Sequence, residues 1–103
     1  MLSLVVPIFN EEKLIDELVN RTVSAVESFS SDYEVIFVDD GSTDNSLNSL
    51  LLHQQKNKRL KVLALSKNFG HQAAYTAGLE FTKGDGEFPA IVSVTISRLL
   101  PNN

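Results

Sequence analysis

Residues 34–46 read EVIFVDDGSTDNS, an apolar run that ends on two adjacent aspartates. The run from Val35 to Val38 has the β-branched and aromatic composition of a buried strand. Asp39 and Asp40 follow it, and then come only small polar residues and a glycine. If they faced solvent, two neighbouring carboxylates would need no functional explanation. At the edge of a sheet they could hold a ligand. The rest of the sequence is needed to predict where this strand end lies in the fold.

The size and composition of the chain are those of one ordinary globular domain. It has 103 residues, of which 43% are hydrophobic and 21% charged, and a net charge of -4. Because no basic excess is present, binding to nucleic acid is not expected. Zero cysteines exclude disulfides and thiolate metal sites. No signal peptide or apolar span of about 20 residues is found, so we expect a cytoplasmic location.

Strand-like and helix-like patterns alternate along the chain. Four short apolar runs predict strands, at residues 2–8, 34–38, 60–65 and 90–94. Three segments between them carry apolar or small residues at helical spacing. Their expected buried faces are Leu14, Ile15, Leu18, Val19, Thr22, Val26 and Phe29 in the first, Leu47, Leu50 and Leu51 in the second, and Ala73, Ala74, Ala77, Gly78 and Phe81 in the third. Asn10 is expected to cap the first helix, and Ser42, Thr43 or Asp44 the second.

This alternation predicts an α/β fold of the Rossmann-like type. We expect an open parallel sheet of about four strands in the order 3-2-1-4, with right-handed crossovers and helices on both faces. The carboxyl ends of parallel strands share one edge of the sheet, and ligands bind in the crevice outside it. Loops at residues 9–11, 39–42 and 66–71 should converge at this edge. Asp39 and Asp40 should therefore face a cleft.

A nucleotide is the ligand that fits such a cleft. Carboxylates accept hydrogen bonds from ribose hydroxyls and base N–H groups, while Lys67 and a helix beginning near Gly70 favour a phosphate. The chain has neither a G-x-G-x-x-G nor a G-x-x-x-x-G-K-[ST] motif, so the pattern is not that of a common NAD or ATP site. Local capping is the alternative explanation for the aspartates.

Three segments resemble the N-terminal half of a family 2 glycosyltransferase with the GT-A fold. They are VVPIFNEE at 5–12, EVIFVDDGSTDNS at 34–46 and LSKNFGHQAAYTAGL at 65–79. The third is similar to enzymes that transfer a sugar from a nucleotide donor to a polyprenyl phosphate, such as undecaprenyl- and dolichyl-phosphate glycosyltransferases. The resemblance implies that residues 1–94 are the nucleotide-sugar-binding half of the domain. Residues 95–103 would be a divergent tail at which the domain is truncated.

The resemblance also implies a set of site residues. Pro7, Phe9 and Glu11 would line the base and ribose pocket, and Phe9 stands where an aromatic residue, often tyrosine, is usual. Val38 and Asp40 would flank the base, Asp40 would accept its N–H groups, and Asp39 would brace the loop. The full set for a UDP- or GDP-linked sugar is Pro7, Phe9, Glu11, Val38, Asp39, Asp40, Gly41, Lys67 and Gly70, with Lys67 near the diphosphate.

The sequence departs from the family pattern after the fourth predicted strand. Enzymes of this kind carry an Asp-x-Asp segment there, which binds Mg²⁺ or Mn²⁺. This chain has Thr95-Ile96-Ser97 in that place and no Asp-x-Asp anywhere. The resemblance therefore implies a glycosyltransferase fragment that binds no metal, contains no catalytic residue and is inactive alone. Intact members would use Mg²⁺ or Mn²⁺ and face the cytoplasm at the membrane, where they serve the cell envelope.

Two other interpretations fit the same residues. A non-enzymatic nucleotide-binding or interaction module could share the fold without the metal. A receiver-type signalling domain would need its acidic pair after the first strand and a phosphoacceptor after the third, where this chain has Lys67. The fourth strand would leave an apolar sheet edge uncovered, which favours self-association.

Overall fold

The computed structural model describes residues 2–83 and 90–93, in which strands and helices alternate. The elements are β1 (Leu2–Ile8), one turn of 3₁₀ helix (Glu12–Leu14), α1 (Ile15–Glu27), β2 (Tyr33–Asp39), α2 (Ser46–Lys56), β3 (Leu60–Ala64), α3 (His71–Lys83) and β4 (Ala90–Ser93). The first three predicted strands and the three predicted helices are therefore present, with ends that differ by a few residues.

The first three strands form a parallel sheet. β1 pairs with β2 from Leu2 opposite Tyr33 to Ile8 opposite Asp39. β2 pairs with β3 over its carboxyl-terminal part, which ends with Asp39 opposite Ala64. On the other side of β1, β4 pairs in parallel over four residues. The parallel pairing of β1, β2 and β3, with helices between them, confirms the predicted α/β class.

The core is divided between the two faces of the sheet. Successive side chains of a strand point to opposite faces, so Val35 and Phe37 pack on the side of α1 and α2. Ile36 and Val38 pack on the other side, beneath Ala74 of α3. All seven residues of β2 are buried, which explains why this strand reads as a continuous apolar run rather than an alternating one.

The third helix lies close to the sheet because its contact residues are small. Ala74 is fully buried, and a Cβ atom added at Gly78 would come within 2.5 Å of the Val5 Cγ1 atom. A larger residue at Gly78 would have to move the helix away from β1. The small residues of this segment predicted such a close approach.

Three apolar side chains that were predicted to be buried are exposed. Phe29 is 84% exposed because α1 ends at Glu27 and the chain has already left the helix at this position. Leu51 is 39% exposed, because in α2 it is Leu50 that is buried against the sheet. Phe81, near the end of α3, is also 39% exposed, whereas Ala74 of the same helix is buried. Helical spacing identified all three segments but extended their buried faces too far.

The predicted cap of the first helix is also wrong. A turn of 3₁₀ helix separates Asn10 from α1, whose N-cap residue is Leu14 and has no side-chain capping hydrogen bond. Asn10 instead adopts a left-handed conformation, with φ of 50°. Its side chain is used in a contact between loops.

Some predictions concern residues beyond the described part of the chain. Thr95, Ser97, the end of the predicted fourth strand at Val94 and the divergent tail at 95–103 all lie outside the described residues. Within residues 2–83 and 90–93, no helix combines the length and the apolar character needed to span a bilayer.

Candidate functional site

Three loops meet at the carboxyl edge of the sheet, as predicted. Loop 1 (residues 9–11) follows β1, loop 2 (40–45) follows β2 and loop 3 (65–70) follows β3. The Asn10 N–H donates to Ser42 Oγ at 2.9 Å, and the Thr43 N–H donates to Asn10 Oδ1 at 2.8 Å. Asn10 therefore joins loop 1 to loop 2.

Asp44 makes a second connection between these loops. Its Oδ1 accepts the N–H of Ser46, the first residue of α2, at 2.9 Å, and its Oδ2 accepts the N–H of Glu12 at 3.2 Å. Burial alone would raise the pKa of Asp44, but the hydrogen bonds from Ser46 and Glu12 outweigh it and hold the pKa below its ordinary value. The N-cap residue of α2 is Asn45, which makes no side-chain capping hydrogen bond, so the predicted cap at Ser42, Thr43 or Asp44 is wrong. Asp44 nevertheless bonds to the first residue of the helix.

Asp44 should make part of the free energy of unfolding depend on pH. Because its folded-state pKa is lowered, its contribution is complete above the unfolded-state pKa and is lost as the pH falls through the folded-state value. Asp44→Asn should destabilise the chain by about 1 kcal/mol at neutral pH, because the amide oxygen of asparagine can replace only one of the two carboxylate oxygens that accept N–H groups. The difference from wild type should shrink on acidification. Urea unfolding of both proteins, from neutral pH to below the folded-state pKa of Asp44, measures this difference in stability. Glu80→Gln, at an exposed position, is the control. A constant difference at every pH would contradict the assignment.

Asp40 is enclosed by loop 3. Its side chain is fully buried, Oδ1 accepts the Phe69 N–H at 2.8 Å, and Oδ2 accepts the Gly70 N–H at 2.9 Å. The Asn68 amide donates to Oδ2 and to the Asp40 carbonyl oxygen, each at 3.2 Å. Both carboxylate oxygens are therefore occupied by protein donors.

Asp39 has a different environment from its neighbour. Only 2% of the residue is exposed, and its Oδ2 accepts the Ser42 N–H at 3.1 Å. Its Oδ1 is buried and has no hydrogen-bond partner within the described residues. Because a buried polar oxygen without a donor is costly, such an atom needs an explanation. A ligand N–H or O–H group would supply the missing donor.

A cleft of about 390 Å³ lies between the loops, with Asp39 in its wall. Half-buried Phe9 and exposed Lys67 also line it, and the Lys67 Nζ atom lies 5.3 Å from the centroid of the Phe69 ring. The lining residues are Phe9, Asp39, Gly41, Ser42, Thr43, Leu47, Leu65, Ser66, Lys67 and Asn68. This set combines an aromatic face, an unpaired acceptor and a cation.

The predicted site residues divide into those in the cleft wall and those behind it. Phe9, Asp39, Gly41 and Lys67 line the cleft. Pro7 and Val38 are buried in the sheet, Asp40 and Gly70 are bonded to each other, and Glu11 donates its N–H to Ser46 Oγ at 2.9 Å. These five support the loops rather than line the cleft.

Several residues of the cleft wall were not among the predicted site residues. Ser42, Ser66 and Asn68 lie in the loops that were predicted to converge at this edge, but no binding role was predicted for them. Leu47 was assigned only to the buried face of α2 and Thr43 only to a cap, and Leu65 was placed at the end of the third strand. The position of the loop 3 residues in the cleft wall depends on the path of that loop, which no local sequence pattern shows.

A larger cleft, of about 710 Å³, lies between α1 and α2. Its lining includes apolar Val19 and Leu52 together with Asp16 and His53, whose side chains are 2.7 Å apart. Within the described residues, the one buried side-chain oxygen or nitrogen that lacks a partner is the Oδ1 atom of Asp39, a residue in the wall of the smaller cleft. The smaller cleft is therefore the better candidate for a ligand site.

The described residues do not fit a metal centre. In residues 2–83 and 90–93, no three His, Asp or Glu side chains group closely enough to hold a metal ion. Hard divalent cations such as Mg²⁺ need several oxygen ligands.

Comparison with known proteins identifies the family. Residues 3–94 match the model of glycosyl transferase family 2. The chain belongs to this family. The expected membership in family 2 is confirmed, and the receiver-type alternative is wrong.

Named relatives agree with this assignment. The chain is 41% identical over 83 residues to the uncharacterized glycosyltransferase YkcC of Bacillus subtilis (strain 168), which is 81% of this chain and 26% of that protein. Residues 1–349 of S. aureus TarS are similar in structure, with a TM-score of 0.68 and 30% identity over 91% of this chain and 26% of that 1–349 chain.

A third similar protein is mannosyltransferase PcManGT from Pyrobaculum calidifontis, whose structure is a complex with GDP-Man and Mn²⁺. The TM-score is 0.70 and the identity 23%, over 78% of this chain and 24% of that chain. At this identity the likeness shows the fold, which is the GT-A type expected. The chain spans about a quarter of the length of these relatives.

Proposed function

We propose that residues 1–94 are the donor half of a family 2 glycosyltransferase, whose cleft binds the nucleotide of a UDP- or GDP-linked sugar. The observation that carries this proposal is the buried and unpaired Oδ1 atom of Asp39 in a cleft shared with Phe9 and Lys67. A nucleoside diphosphate offers one group for each of these residues: a base N–H, a flat ring and a charged diphosphate.

Asp39 would select the base. A carboxylate oxygen accepts a hydrogen bond from uracil N3–H or from guanine N1–H, whereas cytosine presents the unprotonated N3 at the same place. An acceptor facing an acceptor gains no hydrogen bond and leaves the buried oxygen unsatisfied. Phe9, half-buried in the same wall, offers an aromatic face on which the ring can lie. The proposed donor is therefore linked to UDP or GDP rather than CDP.

Lys67 would hold the diphosphate. The N–H groups of Phe69 and Gly70, which precede α3, already donate to Asp40 and are not available to a phosphate. Within residues 2–83, no carboxylate pairs with the Lys67 ammonium, although the chain carries a net charge of -4. Lys67 is then the group that offsets the charge of an anionic ligand in this cleft.

The remaining parts of the proposal concern the whole enzyme. Transfer to a polyprenyl phosphate at the cytoplasmic face of a membrane is proposed from the motif at residues 65–79. We propose that Mg²⁺ or Mn²⁺ acts there, held by groups other than the described residues. The four-stranded order 3-2-1-4 would be that of the working domain, with its uncovered sheet edge open to self-association.

Isothermal titration of the chain with UDP, GDP and CDP tests the proposal. We expect UDP or GDP to bind weakly, with at least about tenfold preference over CDP because one charged hydrogen bond distinguishes them. Adding Mg²⁺ or Mn²⁺ should change the affinity little. Equal affinities for all three nucleotides, or no binding at all, would show that the cleft is not a donor site.

A further inference from the structure

Asn10 lies beside the cleft and is bonded to its wall. The residue before it, Phe9, is in the cleft wall, and so are Ser42 and Thr43, to which Asn10 bonds across the loops. Asn10 itself is exposed and is not among the residues of the wall. A residue in this position can set the distance between loop 1 and loop 2 without contacting a ligand.

The backbone of Phe9 is held on both sides. On one side, the Ile8 carbonyl oxygen accepts the Asp40 N–H at 2.7 Å, which fixes the end of β1. On the other side, Asn10 is bonded twice to loop 2, as an N–H donor at 2.9 Å and as a side-chain acceptor at 2.8 Å. Phe9 is therefore a single residue between two fixed points.

Ser42 extends this connection to the buried acceptor of the cleft. Its N–H donates to the Asp39 Oδ2 atom, and its Oγ atom accepts the Asn10 N–H. One serine thus joins the residue that follows Phe9 to the aspartate whose Oδ1 atom lacks a partner within the described residues. A flat base that stacks on the ring and donates to the acceptor must match the spacing between them.

The backbone of Asn10 suits asparagine. Its φ of 50° lies in the left-handed region, which asparagine, aspartate and glycine adopt more readily than most residues. Of these three, asparagine and aspartate also present a side-chain oxygen, which here accepts the Thr43 N–H. Asn10 thus combines the conformation that turns loop 1 with the acceptor that holds it against loop 2.

We propose that Asn10 is a positioning residue for the base. It holds Phe9 and loop 2 at the separation that the base requires, so the ligand does not have to order them. Ordering a side chain and its loop on binding costs conformational entropy, and loops that are already in place avoid this cost. The proposal rests on the proposed function of the cleft and adds to it a residue outside the cleft wall.

The test uses a nucleoside, uridine or guanosine, because it presents the base without a charged phosphate. Ligand-observed NMR measures its affinity for wild type, Asn10→Gly and Asn10→Asp at a temperature where each is folded. Glycine keeps the left-handed backbone and the N–H donor but removes the acceptor, whereas aspartate keeps all three. Asn57→Gly is the matched control, because its Oδ1 atom accepts the Arg59 N–H at 3.0 Å before β3, at the opposite edge of the sheet.

We expect Asn10→Gly to lower nucleoside affinity by about threefold to tenfold, because the ligand must then order Phe9 and its loop. Asn10→Asp should stay within about twofold of wild type, because it keeps the acceptor. Asn57→Gly should lower the stability and leave the affinity unchanged. In a Phe9→Leu background, which has no ring, Asn10→Gly should cause no further loss, because its effect acts through Phe9.

Hydrogen exchange of the Thr43 amide is a second measurement, and it needs only the wild-type chain. In the ligand-free protein this amide should already be protected, because it donates to Asn10. Adding nucleoside should change its exchange rate little. If protection appears only with the ligand, the nucleoside rather than Asn10 orders the loops, which overturns the proposal. This measurement decides if Asn10→Gly does not fold.

The possible outcomes separate this proposal from the proposed function. If wild type binds neither nucleoside nor nucleoside diphosphate, the donor site is wrong, and the role of Asn10 with it. If it binds the diphosphate alone, the base contributes nothing and its positioning is wrong. If it binds the nucleoside and Asn10→Gly binds it equally well, the donor site stands and positioning is wrong. An equal loss in Asn10→Asp or Asn57→Gly, or a further loss in the Phe9→Leu background, would also contradict the role of Asn10.

Discussion

Asp39→Ala is expected to lower the affinity for the preferred nucleoside diphosphate by about tenfold to a hundredfold, the range for a hydrogen bond to a charged group. The Asp39 Oδ1 atom is buried and has no partner within residues 2–83, so a ligand donor gains a full interaction there. Removal of the carboxylate leaves the base N–H unpaired inside the cleft. This change should weaken the binding of a nucleoside and of its diphosphate alike, because its effect is on the base.

Asp39→Asn gives a sharper readout of the same interaction. The amide can turn its N–H₂ group toward the ligand, and so can donate to the cytosine N3 atom that a carboxylate rejects. We therefore expect the preference for UDP over CDP to shrink or reverse, even if overall affinity falls. Isothermal titration with both nucleotides measures the ratio, and Asp16→Asn serves as the exposed aspartate control. An unchanged ratio in Asp39→Asn would remove this residue from base recognition.

Gly41→Ala is expected to have the largest effect on stability, a loss of about 2–4 kcal/mol in the free energy of unfolding. The new Cβ would lie within 2.6 Å of three backbone atoms of Lys67 and Asn68, and backbone atoms cannot turn aside as a side-chain end can. The left-handed φ of +73° adds strain for any residue with a Cβ. Loop 3 would have to move away from loop 2, which would break the bonds of Asp40 as well.

Gly70→Ala is the matched control, since Gly70 also has a positive φ, of +100°, but among the described residues no atom beyond its two chain neighbours lies within 4 Å of its would-be Cβ. It should show only the conformational cost, about 1–2 kcal/mol. Urea unfolding of both variants separates strain from steric contact. Equal losses in the two would mean that the contact of Gly41 with loop 3 contributes nothing to stability.

The strands and the site edge could be predicted because their causes are local. β2 is buried on both faces, so its central residues 35–38 are apolar without interruption, and this run is visible in the sequence. Alternation of strands with helical segments requires parallel pairing, and parallel pairing brings the loops after β1, β2 and β3 to one edge. Phe9, Asp39 and Lys67 were brought to one cleft by this reasoning alone.

The errors arose where the position depends on the end of an element. Phe29 continues the helical spacing of α1 but follows the last helical residue, so the apolar pattern overstated the buried face. Asn10 precedes two glutamates, as a capping residue does, yet its side chain bonds to Thr43 of a loop 33 residues away. Local patterns do not show whether a polar side chain bonds to its own helix or to another loop.

The two adjacent aspartates show what the sequence can determine and what only the tertiary structure decides. Sequence alone determined that two carboxylates end a buried strand at the ligand edge of a parallel sheet. Tertiary structure alone decided which of them is available, because neighbouring residues of a strand face opposite sides of the sheet. Asp40 continues the side of Val38, where loop 3 leads into α3 and encloses it. Asp39 continues the side of Phe37, where the cleft lies beside Leu47 and one carboxylate oxygen remains without a protein donor.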